Sequence, residues 1–426
     1  MVKPAFTSHP AIESFRTAMG MEVLVVPLTG CMRTYATLAI GMGAMEQYVS
    51  RKGDGRLRLP FGTAHFLEHL VYHQFLSNIG MEGDTHAVTS HWLTCYQVAT
   101  TREWQQAIVP LLAIAEEEQL TVTEFIMRRE RRVISHEIEM YQEQGNVVVD
   151  QLLKRALFPS GHPLTVDIAG TTRSVADVSA PLLQQCFDIF YRAERMKLVL
   201  VGNVTSDEVH ARLGDFESIP AEDSRREEVI PTEKRWEFYS SGKGGVVVES
   251  RPVPLPFLKV GFMEQGVPLA GELLLRYLSI AEVALEALWG KESEFYQSLF
   301  EQGVIGDHFN WESKAIRGCA YSSLGGVTAN PQMVVDQIKE RLVEVSHLGL
   351  AEERIERAKE RRAGKHLLAA DDLRHYSITL AHGMMQQMME WKRLAILKSV
   401  TISDVEAWIQ SHCKIEGLRV AVVEKG

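Results

Sequence analysis

The sequence predicts an α+β fold of two homologous modules, each a mixed or antiparallel sheet covered by helices. Three observations carry that prediction. The chain has 426 residues, which at roughly 150 residues per domain is between two and three domains, with ample length for large cores. Residues Ile219 to Arg235 (IPAEDSRREEVIPTEKR) are charged, carry two prolines and show no apolar periodicity, so they read as a linker. On either side of them the same order of elements recurs: strands, helices, strand, helices, terminal strand. The division is therefore an N-terminal module over 1–218, a linker over 219–235 and a C-terminal module over 236–426.

Met21 to Leu28 (MEVLVVPL) and Tyr35 to Ile40 are short runs punctuated by glycine and read as strands. From Gly62 to Leu76 the apolar spacing is helical. Ala87 to Ala99 (AVTSHWLTCYQVA) mixes Val, Thr, Trp and Tyr with partial alternation and reads as one strand. Glu103 to Ser160 turns to Glu, Gln, Arg, Leu and Ile at helical spacing, which predicts three helices. A helix at Ala180 to Phe190 precedes a buried strand at Met196 to Val201 (MKLVLV). Past the linker come strands at Gly245 to Glu249 and Leu258 to Phe262, then helices at Ala270 to Trp289 and Glu292 to Gln302. A strand at Ala320 to Leu324, helices to Gln410 and a last strand at Leu418 to Val423 complete the chain.

Composition narrows the function. Hydrophobic residues make up 46% and charged residues 23%, which argues for packed cores rather than disorder. The net charge of −10 gives no field that favours phosphate backbones or anionic lipid, so neither nucleic acid nor membrane is an expected partner. Five cysteines (Cys31, Cys95, Cys186, Cys319, Cys413) lie far apart, with no C-x-x-C, as in a reducing compartment. The N-terminal residues lack the apolar stretch of a signal peptide, and no run approaches the ~20 apolar residues of a membrane helix. A cytoplasmic location is expected.

The chemistry is concentrated in GTAHFLEHLVYH, Gly62 to His73, which contains His65-Phe66-Leu67-Glu68-His69. On a helix, positions i, i+3 and i+4 share a face, so both imidazoles and the Glu68 carboxylate point one way. The two histidines stand ~6 Å apart along the axis, close enough for both to reach one zinc ion at ~2.1 Å per bond. Glu68 then lies where a general base is needed, in the inverted zincin arrangement. A random ordering of this composition would hold about 0.07 such pentads, counting either acid. A catalytic zinc needs a third protein ligand and an open position. His73 is ~12 Å from His65 along the axis and cannot converge with the pair. The ligand must come from another segment, and spacing alone does not choose among Glu116, Glu124, Glu130, Glu137 and Glu139.

The zinc helix, followed by Glu130 to Glu137 (ERRVISHE), resembles the pitrilysin or insulinase family of inverzincin metallopeptidases, which includes the mitochondrial processing peptidase. The resemblance implies a processing-peptidase-like fold and a zinc-dependent endopeptidase for short or unfolded peptides. It implies Glu137 as the third ligand beside His65 and His69, and Glu130 as a supporting carboxylate. The family's glycine and N-A-x-T strand, whose edge binds substrate backbone, are matched by Gly83 and His86-Ala87-Val88-Thr89, with histidine in place of asparagine. His86 and Ala87 are thus the expected substrate-binding positions. Self-sufficient relatives carry an L-R-E-x-x-G-L-x-Y segment in the second half; here Leu299 to Ile305 (LFEQGVI) has Phe300 in the place of arginine and no matching tyrosine. That departure, and a length of two modules against the family's four, implies a second subunit of the same fold, a heterodimer being favoured over a homodimer. Two other readings remain: a peptidase dedicated to a leader peptide, as in bacteriocin maturation, and a non-catalytic scaffold subunit.

Three further features are assigned to structure. Gly325-Gly326 reads as a bent strand or turn, and Arg357 to Arg362 (RAKERR) as a solvated helix face with i,i+4 pairing. Met384, Met385, Met388 and Met389 read as core or chamber wall.

Overall fold

The computed structural model describes residues 12–28, 30–49, 57–77, 84–214 and 245–426; the linker expected over 219–235 and Gly83 lie outside the described residues. The first half forms β1 (Glu13–Arg16), β2 (Glu22–Pro27), β3 (Thr34–Ile40), a small pair β4 (Tyr48–Val49) and β5 (Leu57–Arg58), and α1 (Thr63–Val71). It continues with β6 (Asp84–Thr89), β7 (Thr94–Thr100), α2 (Trp104–Ala107), α3 (Val109–Glu116), α4 (Glu124–Gln142) and α5 (Gly145–Leu157). Next come α6 (Thr172–Ala176), α7 (Ala180–Phe190), β8 (Met196–Gly202) and α8 (Ser206–Leu213). The second half forms β9 (Val246–Arg251), β10 (Phe257–Glu264), α9 (Gly271–Trp289), α10 (Glu294–Glu301), β11 (Asn310–Ile316) and β12 (Cys319–Val327). It ends with α11 (Pro331–Leu348), α12 (Glu352–Ala369), α13 (Leu373–Met385), α14 (Arg393–Ser399), α15 (Ile402–His412) and β13 (Arg419–Lys425).

The fold is α+β with two homologous modules. One sheet has the order β1-β2-β8-β3-β7-β6 and the other β11-β12-β10-β13-β9. Read from its far end, the second repeats the first: β11, β12, β10, β13 and β9 stand where β6, β7, β3, β8 and β2 stand. The single parallel pairing also recurs in place, β2 with β8 and β9 with β13. In the first sheet, period-2 alternation sends Leu38, Tyr96 and Leu198 into a core with Phe66 and Leu70 of α1 and Phe187 of α7. The alternate residues Thr37 and Gln97 meet Ser377 of α13 on the opposite face.

The compact units are not simply the two halves of the sequence. The first takes in 367–390, and with it α13, which packs on β3 and β8. The second takes in 139–165, and with it α5, which packs on β10 and β13. Gly261 in β10 makes the latter contact possible, since a Cβ there would stand 2.9 Å from Leu153.

Four readings of the sequence are corrected. Ala87 to Ala99 is not one strand but the antiparallel hairpin β6–β7, turned by Ser90, whose hydroxyl accepts from the Leu93 amide at 3.2 Å. Glu103 to Ser160 holds four helices, a one-turn α2 preceding the three expected. Strands β1 and β11 were not anticipated: β1 is four residues long, and β11 (NWESKAI) is a polar edge strand without a clear apolar face. Arg357 pairs with Glu353 at 2.6 Å as a solvated i,i+4 partner should, but Arg361 and Arg362 reach Glu286 and Glu282 of α9, at 2.9 and 3.0 Å. Gly325 lies in β12, where a Cβ would strike the Leu258 carbonyl oxygen at 2.0 Å, and Met385 and Met388 are buried. No helix among the described residues is long and apolar enough to cross a membrane.

Candidate metal centre

The site is built in the first unit from α1, α4 and the hairpin strand β6. Gly62 opens α1 in the left-handed region, φ +86°, and a Cβ there would meet the Ala169 carbonyl oxygen at 2.3 Å. From that start Phe66, Leu67, Leu70 and Val71 turn into the core. His65, Glu68 and His69 consequently share the remaining face, with the two imidazole centroids 4.6 Å apart. Helix α4 is anchored by buried Met127, Ile134 and Ile138, which brings Glu130 and Glu137, two turns apart, over α1.

Glu137 Oε2 lies 3.7 Å from His65 Nε2 and 3.6 Å from His69 Nε2. Donors at 2.0–2.2 Å from one tetrahedral zinc are spaced by about 3.4 Å, so the carboxylate oxygen stands within a few tenths of an ångström of that spacing from each imidazole nitrogen, and all three donors lie within 4.8 Å of one another. Three protein donors also leave a fourth position open, as catalysis requires. Of the five glutamates that spacing left open, only Glu137 joins both imidazoles in a metal-type cluster among the described residues.

Glu130 is fully buried, and its Oε2 stands 3.1 Å from His69 Nδ1. Burial works against its charge, but the His69 and Arg129 hydrogen bonds outweigh it and hold the carboxyl below its usual range. An ionised carboxylate only accepts, so a proton sits on His69 Nδ1 and Nε2 is the nitrogen offered to a metal. Burial lowers the His69 pKa, but the Glu130 hydrogen bond and the Glu68 and Glu137 charges outweigh it and raise it, so a metal bound there would displace a proton from Nε2. His69, His73 and Glu130 form a second close cluster. Its use of Nδ1, the nitrogen committed to Glu130, makes it support for the first rather than a separate site. His73 Nε2 is 3.7 Å from Glu130 Oε1, outside the His65, His69 and Glu137 set. Burial, then the charge of His69, pushes His65 down to about 3, so it is neutral and fit to bind metal.

Glu68 does not belong to the donor set but adjoins it, with Oε2 3.9 Å from His65 Nε2. Burial raises its pKa, opposed by His69 and by the Thr89 hydroxyl, which donates to Oε2 at 3.0 Å. Sequence reasoning missed Thr89 as the residue that aims Glu68, and Thr85, whose hydroxyl meets the Tyr72 hydroxyl at 2.9 Å. The signal was available: residues 85, 87 and 89 alternate onto the α1 side of a strand. His86 and Ala87 lie in β6, the last strand of its sheet. Ala87 packs against the core, whereas His86 is exposed on the other face. Phe300 is exposed near the end of α10 and stacks on Tyr296, centroids 5.8 Å apart.

Comparison with known proteins finds zinc proteases and M16-like structures. The zinc protease YmfH of Bacillus subtilis (strain 168) is 26% identical over 423 residues, spanning 95% of this chain and 94% of that one. A crystal structure of an M16-like peptidase from Alicyclobacillus acidocaldarius superposes with a TM-score of 0.86 at 23% identity, covering 99% of this chain and 100% of that one. The family model described as "Peptidase M16 inactive domain" matches residues 177–362. The family model, the curated relatives and the solved structures all support the M16, pitrilysin/insulinase-like peptidase family for this chain. The matched stretch contains none of His65, Glu68, His69, Glu130 and Glu137. The mitochondrial-processing peptidase subunit beta of Caenorhabditis elegans is 26% identical over 184 residues, 41% of this chain and 38% of that one.

Proposed function

We propose that this M16 chain is a zinc-dependent metalloendopeptidase for short or unfolded peptides, with zinc on His65, His69 and Glu137, acting together with a second subunit of the same fold. The observation that carries the reading is the approach of a Glu137 carboxylate oxygen to 3.7 Å from His65 Nε2 and 3.6 Å from His69 Nε2, with all three donors within 4.8 Å of one another and Glu68 beside them. Zinc held there would supply Lewis acidity, acidifying water and polarising a carbonyl oxygen.

The remaining work falls to the chain's own residues. Glu130 fixes the His69 ring through Nδ1. Thr89 points the Glu68 carboxylate, which takes a proton from the attacking water and returns it to the leaving amine. The open edge of β6 receives the substrate backbone as an added strand, and that step demands an extended segment, which excludes intact folded proteins. Phe300, where the segment that the resemblance implies would carry arginine, supports completion of the site by a partner of the same fold, a heterodimer before a homodimer. The five cysteines, all described and none in a disulfide, support a reducing, cytoplasmic setting.

The test is hydrolysis of a mixed peptide library by the protein and by Glu68→Gln, with bound zinc quantified in each. Cleavage lost with zinc retained is the expected result; undiminished cleavage by Glu68→Gln would remove the general base and overturn the reading.

A further inference from the structure

The edge strand β6 has a second face that the catalytic residues do not use. Thr85, Ala87 and Thr89 turn toward α1; Asp84, His86 and Val88 turn the other way, toward the α13 side, because side chains alternate along a strand. Helix α13 is fixed there at its first turn. The Gln97 side-chain amide, on the residue paired with His86, donates to the Arg374 carbonyl at 3.0 Å and to Ser377 Oγ at 2.7 Å. The Arg374 backbone is thereby locked next to the strand edge.

From that anchor the Arg374 guanidinium reaches Asp84 Oδ2 at 3.5 Å, and Arg33 reaches the same oxygen at 3.6 Å. One carboxylate shared by two guanidiniums leaves a positive charge over. All three side chains are largely open to solvent, at 50% for Arg33, 39% for Arg374 and 62% for Asp84, so the cations remain available to another ligand. His86, exposed overall but with its ring partly desolvated, feels this field: that partial burial and then the Arg374 charge push its imidazole down.

We propose that Arg374, with Arg33, forms a basic rim that selects an acidic side chain in the peptide bound along β6. This rests on the reading of β6 as the substrate edge. A strand added there lies about 4.8 Å from β6, and its side chains on the α13 face stand about 5 Å from those of Asp84 and His86. An aspartate or glutamate at such a position meets the surplus charge, whereas a lysine is repelled. Because the groups are exposed, the preference is about 1.5-fold to fivefold and weakens in salt.

The test measures binding rather than turnover, so it does not depend on the chain's being an enzyme. Fluorescein-labelled extended peptides, identical but for Glu, Gln or Lys scanned along their length, are titrated into the Glu68→Gln protein and followed by anisotropy. At one or two alternate positions the Glu peptide should bind about 1.5-fold to fivefold more tightly than the Gln peptide, with Lys weaker than either, and 0.5 M salt should shrink the ratio. Arg374→Glu in the same background should invert the Glu-to-Lys order, the Gln peptide serving as reference within each variant. Arg374→Lys, which keeps the charge, should retain the order. A Glu-to-Gln ratio near one at every position, or one unchanged by Arg374→Glu, overturns the proposal even if the wild-type protein cleaves peptides. An acid preference that Arg374→Glu inverts sustains it even if no peptide is cleaved.

Discussion

Glu130 carries no metal donor atom, yet the account makes zinc affinity depend on it. Its side chain is fully buried, and it engages His69 Nδ1 at 3.1 Å and Arg129 Nε at 2.7 Å. Partners of this kind are worth about 10- to 100-fold in metal affinity, or about 1.4–2.7 kcal/mol. The two substitutions at this site divide that range. Glu130→Gln keeps an oxygen that can accept from Nδ1–H but loses the charge that makes His69 a better ligand, so zinc should bind about tenfold more weakly. Glu130→Ala removes the acceptor as well and frees the ring to turn, so the loss should approach 100-fold. The assay is competition for zinc against a chromophoric chelator at fixed pH, with circular dichroism showing that each variant is folded. Wild-type affinity in both variants would refute the reasoning, because His69 would then be neither oriented by Glu130 nor dependent on it.

Three further outcomes are expected. Thr89→Val should leave zinc content unchanged and lower turnover about tenfold, the worth of a hydrogen bond to a charged group, while Thr89→Ser restores it; equal turnover in all three proteins would deny Thr89 its role. Glu264 is buried and raised to about 7 from an ordinary 4.5, with Tyr277 donating to it at 2.5 Å. A raised pKa gives stability that is present below about pH 4.5 and gone above about pH 7, worth about 3 kcal/mol; Glu264→Gln should therefore gain on the wild type in urea melts as pH rises from 5 to 8, and a constant difference would contradict this. Glu282 in α9 contacts Arg362 at 3.0 Å, Arg393 at 3.1 Å and His366 at 2.7 Å. Burial opposes its charge, but these cations outweigh it, so Glu282→Ala should cost about 3–5 kcal/mol, and a loss under 1 kcal/mol would show the network to be dispensable.

What could be read from the sequence was what is local. His65, Glu68 and His69 lie within one helical turn and a fraction, so their shared face follows from 3.6-residue spacing. Glu137 reaches them from a helix some seventy positions away, and only the resemblance, not spacing, separated it from its four competitors. The β6–β7 hairpin escaped notice because its turn is Ser90-His91-Trp92-Leu93, without glycine, proline, asparagine or aspartate. A serine hydroxyl does the work there that turn residues do elsewhere. The placement of α5 and α13 could not have been read at all: the buried Val149, Leu152 and Leu153 mark an amphipathic helix but not the sheet it covers. The reach of Arg361 and Arg362 to α9 was hidden for the same reason, since a basic run next to glutamates satisfies i,i+4 pairing on paper.

The central claim, that His65, His69 and Glu137 together hold zinc, is tested most directly by anomalous diffraction at the zinc edge from crystals of the zinc-loaded protein. The account predicts one strong peak about 2.0–2.2 Å from His65 Nε2, His69 Nε2 and a Glu137 carboxylate oxygen. A peak among His69, His73 and Glu130, or none near α1, would contradict it.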